Sequence, residues 1–267
     1  MKIIYSLLLT AVVALACKKD GGSGKKLYLG KVYSNDLLSE EYIYSSDKKA
    51  IRRNRYTTHS GVSNFAGFRL YEYENDLITR VLAYNKDGVL IDKTNISYNA
   101  AGKITRLDLY GNNEMLDYYY IWEYNNQELS KIVGYSPNPT KKQGEWLVEN
   151  NTHNSVVSFR RYYVSSGNLY LSDSAYFTYA DKKIPDHWQF YEELMYDFPI
   201  DITLESIFST SVKYHNIAVG PYKATYTFSE KTYNGQGYLI SQHYKLEADA
   251  GLGVTATNLN MKYEYIE

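Results

Sequence analysis

The chain is poor in several things, and each shortage removes a class of function. Its 267 residues include a single cysteine, Cys17, so it has no internal disulfide and no cysteine-rich zinc site. It has no excess of one charge, with 29 basic against 30 acidic residues, and neither a nucleic-acid-binding stripe nor an acidic tail follows. No run is apolar for the roughly 20 residues that a membrane-spanning helix needs. The five histidines, His59, His153, His187, His215 and His243, form no His-x-x-x-His pair. The acidic pairs Glu40-Glu41 and Glu192-Glu193 are adjacent, so on a strand their carboxylates point to opposite faces and build no glycosidase pair. There is no Gly-x-Ser-x-Gly elbow and no phosphate-cradling glycine loop with a lysine. Neither a metal nor a cofactor is expected.

What the chain has in excess is tyrosine, 31 residues of it, together with 17 glycines. Tyrosine suits a pleated, half-buried surface, apolar along the ring and wet at the hydroxyl. Segments such as Tyr118, Tyr120, Trp122 and Tyr124, or Leu259, Met261, Tyr263 and Tyr265, place apolar residues at every second position. Alternation of period two, repeated from Leu70 to Tyr265, predicts an antiparallel sheet with one wetter face. Roughly 14 to 18 strands joined by short hairpins are expected, a meander rather than a Greek key.

A repeat punctuates these strands. Its clearest copy is Tyr98-Asn99-Ala100-Ala101-Gly102-Lys103-Ile104; Tyr84 to Ile91 and Tyr233 to Ile240 repeat it, and looser copies start at Tyr44, Tyr73, Tyr124 and Tyr179. In each, Tyr closes a strand and Asn, Asp and Gly supply a turn, which requires positive φ at or beside Gly88 and Gly102. Tyrosines at the same point of successive hairpins are expected to meet across strands. Two stretches break the rhythm. Ser136 to Ser155, with Pro137, Pro139 and Gly144, reads as an irregular insertion with a strand at Trp146-Leu147-Val148. Leu204, Ile207 and Phe208 fall at helical spacing behind Asp201, so a short helix is expected near 201–209.

The first residues carry the strongest localisation signal. Lys2 precedes the uncharged run Ile3 to Ala16, too short to span a bilayer and typical of a signal peptide. The run ends Ala14-Leu15-Ala16-Cys17, which resembles the lipobox of bacterial lipoprotein precursors. The resemblance implies cleavage before Cys17 and acylation of that residue, with residues 17–26 as a Gly- and Ser-containing tether. The start Cys17-Lys18-Lys19-Asp20 looks like lipoproteins of the Bacteroidetes type, and the Tyr-Asn-x-x-Gly-x-Ile-Thr-Arg pattern at Tyr98 is similar to the YD repeats of Rhs-type shell proteins. Together they resemble Bacteroidetes lipoproteins of unknown function with degenerate YD repeats. That resemblance implies a curved or partly barrel-like all-β sheet over 27–267, a place at the outer membrane on its periplasmic face or the cell surface, and no catalytic residue.

Three functions remain open: a non-enzymatic lipoprotein that binds an envelope protein or a glycan, a purely structural or assembly component, and an enzyme. The first is the expected one. Its candidate contact residues are Trp122, Trp146 and Trp188, because rigid aromatic rings lose little entropy on binding. The competing reading is that they pack in the core or across strands, most of all Trp122 among its alternating tyrosines. The membrane, through Cys17, is the other expected partner. Replacing that thiol tests the lipobox: Cys17→Ser should leave the chain unprocessed or free of membranes, read by membrane fractionation.

Overall fold

The computed structural model describes residues 26–126, 128–137, 140–150, 156–179, 209–216, 222–248 and 257–267. Cys17, Trp188 and most of the expected 201–209 helix lie outside them. Among the described residues there is no helix. The strands run in chain order as β1 Tyr28–Ser34, β2 Leu37–Tyr44, β3 Ala50–His59, β4 Val62–Glu74, β5 Leu77–Asn85, β6 Leu90–Tyr98, β7 Ile104–Gly111, β8 Leu116–Asn125, β9 Glu128–Pro137, β10 Thr140–Asn150, β11 Val156–Ser165, β12 Asn168–Tyr179, β13 Ser209–Asn216, β14 Tyr222–Tyr233, β15 Leu239–Ala248 and β16 Thr257–Ile266.

Every strand pairs antiparallel with its sequence neighbour, so the expected meander is present. The sheet then closes, because β1 pairs with β16 from Tyr28↔Ile266 to Ser34↔Met261 as well as with β2. Closure leaves no unpaired edge strand among the described residues. One correction concerns Ser136 to Ser155. β9 continues through Pro137 and β10 spans Thr140–Asn150, because Gly144, Trp146 and Val148 alternate inward against β9 and β11 and make this stretch part of the wall.

The turns explain the repeat. In Tyr98-Asn99-Ala100-Ala101-Gly102-Lys103-Ile104, Gly102 takes φ +73° and the Asn99 side-chain oxygen accepts the amides of Ala101 and Lys103, both at 3.0 Å. The copies at Asn85 and Asn234 use the same two bonds, with φ +77° at Gly88 and +86° at Gly237. Asparagine is there because one oxygen satisfies two turn amides. Tighter turns use consecutive left-handed residues, Asn35-Asp36, Ser60-Gly61, Asn75-Asp76 and Ser166-Gly167, the type I′ geometry that matches strand twist.

Just after these turns sits a bulge on the following strand. Ser97 pairs with Arg106 but Tyr98 with Ile104, leaving Thr105 as an extra residue; the same shift occurs at Tyr44, Tyr73, Tyr124 and Tyr233. The tyrosine stays in plain alternation with the core residues before it, and its hydroxyl reaches the carbonyl just before the extra residue of the preceding strand. Tyr44 donates to the carbonyl of Leu29, Tyr73 to Ala50, Tyr98 to Ile78, Tyr124 to Ile104 and Tyr265 to Leu239, at 2.7 to 2.8 Å. All five lie at the end of the barrel where the chain enters β1 and leaves β16, here the near end.

The core-side face carries two clusters. Tyr71, Ile78, Val81, Ile96, Leu107, Trp122, Ile132, Trp146 and Val148 form one across β4 to β10; Leu29, Val32, Tyr42, Leu239 and Tyr263 form the other at the closure. Burial raises the hydroxyl pKa of Tyr98, Tyr263 and Tyr265 above that of free tyrosine. Tyr98→Phe removes one hydroxyl and leaves the Ile78 carbonyl without it, so it should destabilise the barrel by about 1–2 kcal/mol in urea unfolding with an unchanged m-value.

Candidate functional site

The two faces of the wall differ in kind. The face away from the core carries directly opposed charges: Lys31 against Glu41, Glu72 against Arg80 and Glu123 against Lys131, with nitrogen–oxygen distances of 3.8, 2.7 and 2.7 Å. Arg106 and Asp108 add a pair in the middle of β7, and Lys262 and Glu264 one on β16. Exposed pairs of this kind contribute little stability, but they decide the solvent. A membrane-spanning barrel presents an apolar outer band of about 25 Å and keeps its polar residues inside. Here ion pairs stand on the outer face, beside rings such as Phe68 and Tyr119 that Arg52 and Arg106 cover, so this wall faces water.

An aromatic concavity lies toward the far end, on β8 to β12. A cleft of about 210 Å³ is lined by Tyr118, Tyr120, Trp146, Arg161 and Tyr163, among others. Its space comes from two glycines. A Cβ on Gly134 would lie 2.9 Å from the Tyr120 ring and 3.2 Å from that of Trp146, and one on Gly144 would lie 2.4 Å from the Tyr162 carbonyl oxygen. Both strands must therefore stay bare where the rings pack. Trp146 meets Tyr120 edge-on at 5.4 Å between centroids, and Tyr120 meets Trp122 at 6.3 Å. Around the rim Tyr118, Tyr163 and Tyr170 are 49%, 41% and 46% exposed, and Tyr163 stacks on Tyr170 at 5.6 Å. Burial raises the pKa of the Tyr120 hydroxyl, and the Arg161 guanidinium pulls it partly back.

The expected tryptophans divide accordingly. Trp122 is 6% exposed and belongs to the core. Trp146 is 7% exposed, sits on a strand rather than a loop, and touches the cleft from beneath; its Nε1 has no hydrogen-bond partner among the described residues. Trp188 lies outside the described residues. The accessible rings are tyrosines, and the signal for them was present: Tyr163 and Tyr170 flank the Ser166-Gly167 turn that folds them onto each other. Among the described residues no group of three His, Cys, Asp or Glu is placed to hold a metal ion.

No protein-family profile matches the sequence, and no curated protein does. Solved structures resemble it in fold. A porin-like protein from Bacteroides uniformis aligns with 12% identity over 85% of this chain and 89% of its own, at a TM-score of 0.51. A porin-like protein from Bacteroides vulgatus aligns with 8% identity over 89% and 98%, at 0.43. The TcdB2-TccC3-Cdc42 structure aligns with 12% identity over 83% of this chain but only 13% of that one, at 0.30. The first of these supports the antiparallel β fold and nothing finer. The charged outer wall makes its own prediction. Residues 27–267, produced without detergent, should be soluble and elute as a compact species in size-exclusion chromatography; a requirement for detergent would contradict the water-facing assignment.

Proposed function

We propose that this protein is a non-enzymatic envelope lipoprotein, anchored to the outer membrane through Cys17, whose barrel binds a glycan in the tyrosine-rich cleft. The observation that carries the reading is the exposed trio Tyr118, Tyr163 and Tyr170 around a glycine-floored cleft. Large rings held rigid by strands offer flat apolar area to a sugar face at small entropic cost, and Arg161 supplies a fixed donor beside them. Monomeric barrels have little reason to leave three aromatic rings in water together unless they are covered in use. The orientation fits an anchor. The tether joins the near end at Tyr28, whereas Tyr118, Tyr163 and Tyr170 lie by the turns of the far end, so a lipid on Cys17 leaves the cleft facing away from the bilayer.

A glycan array on residues 27–267 tests the reading, with Tyr118→Ala and Tyr163→Ala as paired variants. Each should weaken the best glycan by about fivefold, the equivalent of roughly 1 kcal/mol per stacking ring. Each should leave thermal stability nearly unchanged, since both side chains are exposed. An array without hits, or variants that bind as well as the parent, would overturn it.

A further inference from the structure

On one side of the barrel the near-end repeat carries isoleucine where its other copies carry polar residues. Beside each near-end turn two residues stand away from the core: the one just before the tyrosine and the extra residue of the bulge on the next strand. From β4 to β9 these are Glu72 with Thr79, Ser97 with Thr105 and Glu123 with Ser130. At Tyr44 they are Ile43 and Ile51, and after Tyr233 the extra residue is Ile240. β16 and β1 lie between these copies, and there Ile266, opposite Tyr28, rests over Gly30, where a Cβ would lie 3.0 Å from Ile266 Cγ2. Ile43, Ile51, Ile240 and Ile266 are 36% to 44% exposed, so an apolar row runs around the near end from β15 to β3.

This row sits where residues 17–26 lead into β1. Fully extended, that tether reaches no farther than about 35 Å, so a lipid on Cys17 holds the near end against its bilayer at high effective concentration. The row is also shallow. Two residues from Ile43 on the same strand comes Glu41, which Lys31 approaches at 3.8 Å, and two residues from Ile266 comes Glu264, which accepts from the Tyr33 hydroxyl at 3.0 Å. One outward position deep, the row covers about 7 Å along the strands. That matches the roughly 5–10 Å to which an interfacial segment inserts and falls far short of the roughly 25 Å band of a spanning barrel. Four partly exposed isoleucines also offer much less than the roughly 800 Å² per partner of a stable protein interface. Tyr28, at the middle of the row, has the Lys26 and Lys48 ammonium groups 5.6 and 5.8 Å from its ring centre. An aromatic ring with lysines that can extend past it suits the boundary between headgroups and acyl chains.

We propose that this isoleucine row is a membrane-contact surface: it dips into the headgroup–acyl boundary of a phospholipid bilayer and tilts the barrel toward its β15 to β3 side. The proposal rests on the Cys17 anchor, which brings the bilayer to the row, and not on what the tyrosine cleft binds.

The test uses residues 17–267 with Cys17→Ser and an N-terminal hexahistidine, held by a nickel-chelating lipid on vesicles of phosphatidylethanolamine and phosphatidylglycerol. Attachment is then independent of what Cys17 carries in the cell. A fluorophore is placed either at Ser46→Cys, exposed in a near-end turn, or at Val62→Cys, exposed at the far end, and lipids spin-labelled high on the acyl chain act as quencher. The label at 46 should be quenched at least threefold more than the label at 62. Ile43→Ser with Ile51→Thr installs the residues of the Tyr98 copy, which the fold already accepts, and should bring the label at 46 down to the level at 62; Ile266→Ser, on another strand, should act in the same direction. Thermal melting of each variant confirms that it is folded. The proposal is overturned if the label at 46 is quenched no more than that at 62, as when residues 180–208 cover the row, or if both sets of variants are quenched like the parent, so that the tether alone accounts for the contact. It is also overturned if the variants abolish a self-association seen by sedimentation and leave quenching unchanged, which makes a second copy the occupant. A Cys17→Ser chain that stays on membranes in fractionation overturns the anchor alone, so the two failures are distinguishable.

Discussion

The structure depends on a hydrogen bond from a core-facing tyrosine to a backbone carbonyl one strand back, at the position just before a bulge. A bulge by itself is a cost, because it leaves a ladder position unpaired. Placed at the near end of the preceding strand, just after Leu29, Ala50, Ile78 and Ile104, it sets those carbonyls where the hydroxyls of Tyr44, Tyr73, Tyr98 and Tyr124 reach them. The hydroxyl then meets an acceptor inside the barrel, where an unsatisfied polar group would be expensive. The ring also covers the cluster built on Ile78, Leu107 and Ile132. One residue type thereby fastens neighbouring strands, seals the core and fixes the register. Tyr265 does the same across the last hairpin, on a strand that also pairs with β1, so the closure is held by the device that holds the hairpins.

The same bulges explain what could and could not be seen in the sequence. The turns were legible: Asn99 with Gly102, Asn85 with Gly88 and Asn234 with Gly237 have a side-chain oxygen and a left-handed residue where a tight turn needs them. The alternation was legible within strands such as Tyr118 to Tyr124. Just after each turn it slips, because the extra residue moves the inward positions from two apart to three. Ile104 and Leu107, Ile78 and Val81, and Ala50 and Arg53 all lie on the core side at a spacing of three. Read as plain alternation, such stretches look irregular, which is also why β10, with its own register shift between Lys142 and Gly144, reads as an insertion. Closure left no local trace, since nothing near Tyr28 marks it as the partner of Ile266. The candidate site was half legible. Trp146 drew attention by residue type, but its strand sets it beneath the cleft, and the accessible rings are tyrosines brought together by a two-residue turn.

The distribution of polarity separates this barrel from a lipid-facing one more sharply than its fold can. Architecture is shared with proteins of little sequence similarity, and the strand count and antiparallel meander are silent about solvent. The direction in which charge points is not. Lys31, Glu41, Glu72, Arg80, Arg106 and Asp108 stand on the side opposite the core on strands seven to thirteen residues long, so on these strands charge interrupts any apolar band that would match a bilayer. The covered side carries the aromatic clusters, which occupy the interior with side chains and leave room only where glycine or alanine replaces a larger residue.

That last point sets a division of labour along the barrel axis. At the near end inward positions hold Tyr73, Tyr98 and Tyr124, which fill and fasten. Toward the far end the equivalent rows hold Gly67, Ala83, Gly134 and Gly144. Glycine is unfavourable in a strand, since it gives up packing and adds disorder to the unfolded chain. Its recurrence on one face near one end requires a compensating reason. At Gly134 and Gly144 that reason is the space taken by Tyr120, Trp146 and the Tyr162 carbonyl, and at Gly67 it is the approach of Tyr84. Each bare position adjoins a concavity bordered by functional groups, tyrosine rings in one case and guanidiniums in the other. The stability supplied by the tyrosine-clamped half is therefore what allows the other half to remain incompletely filled.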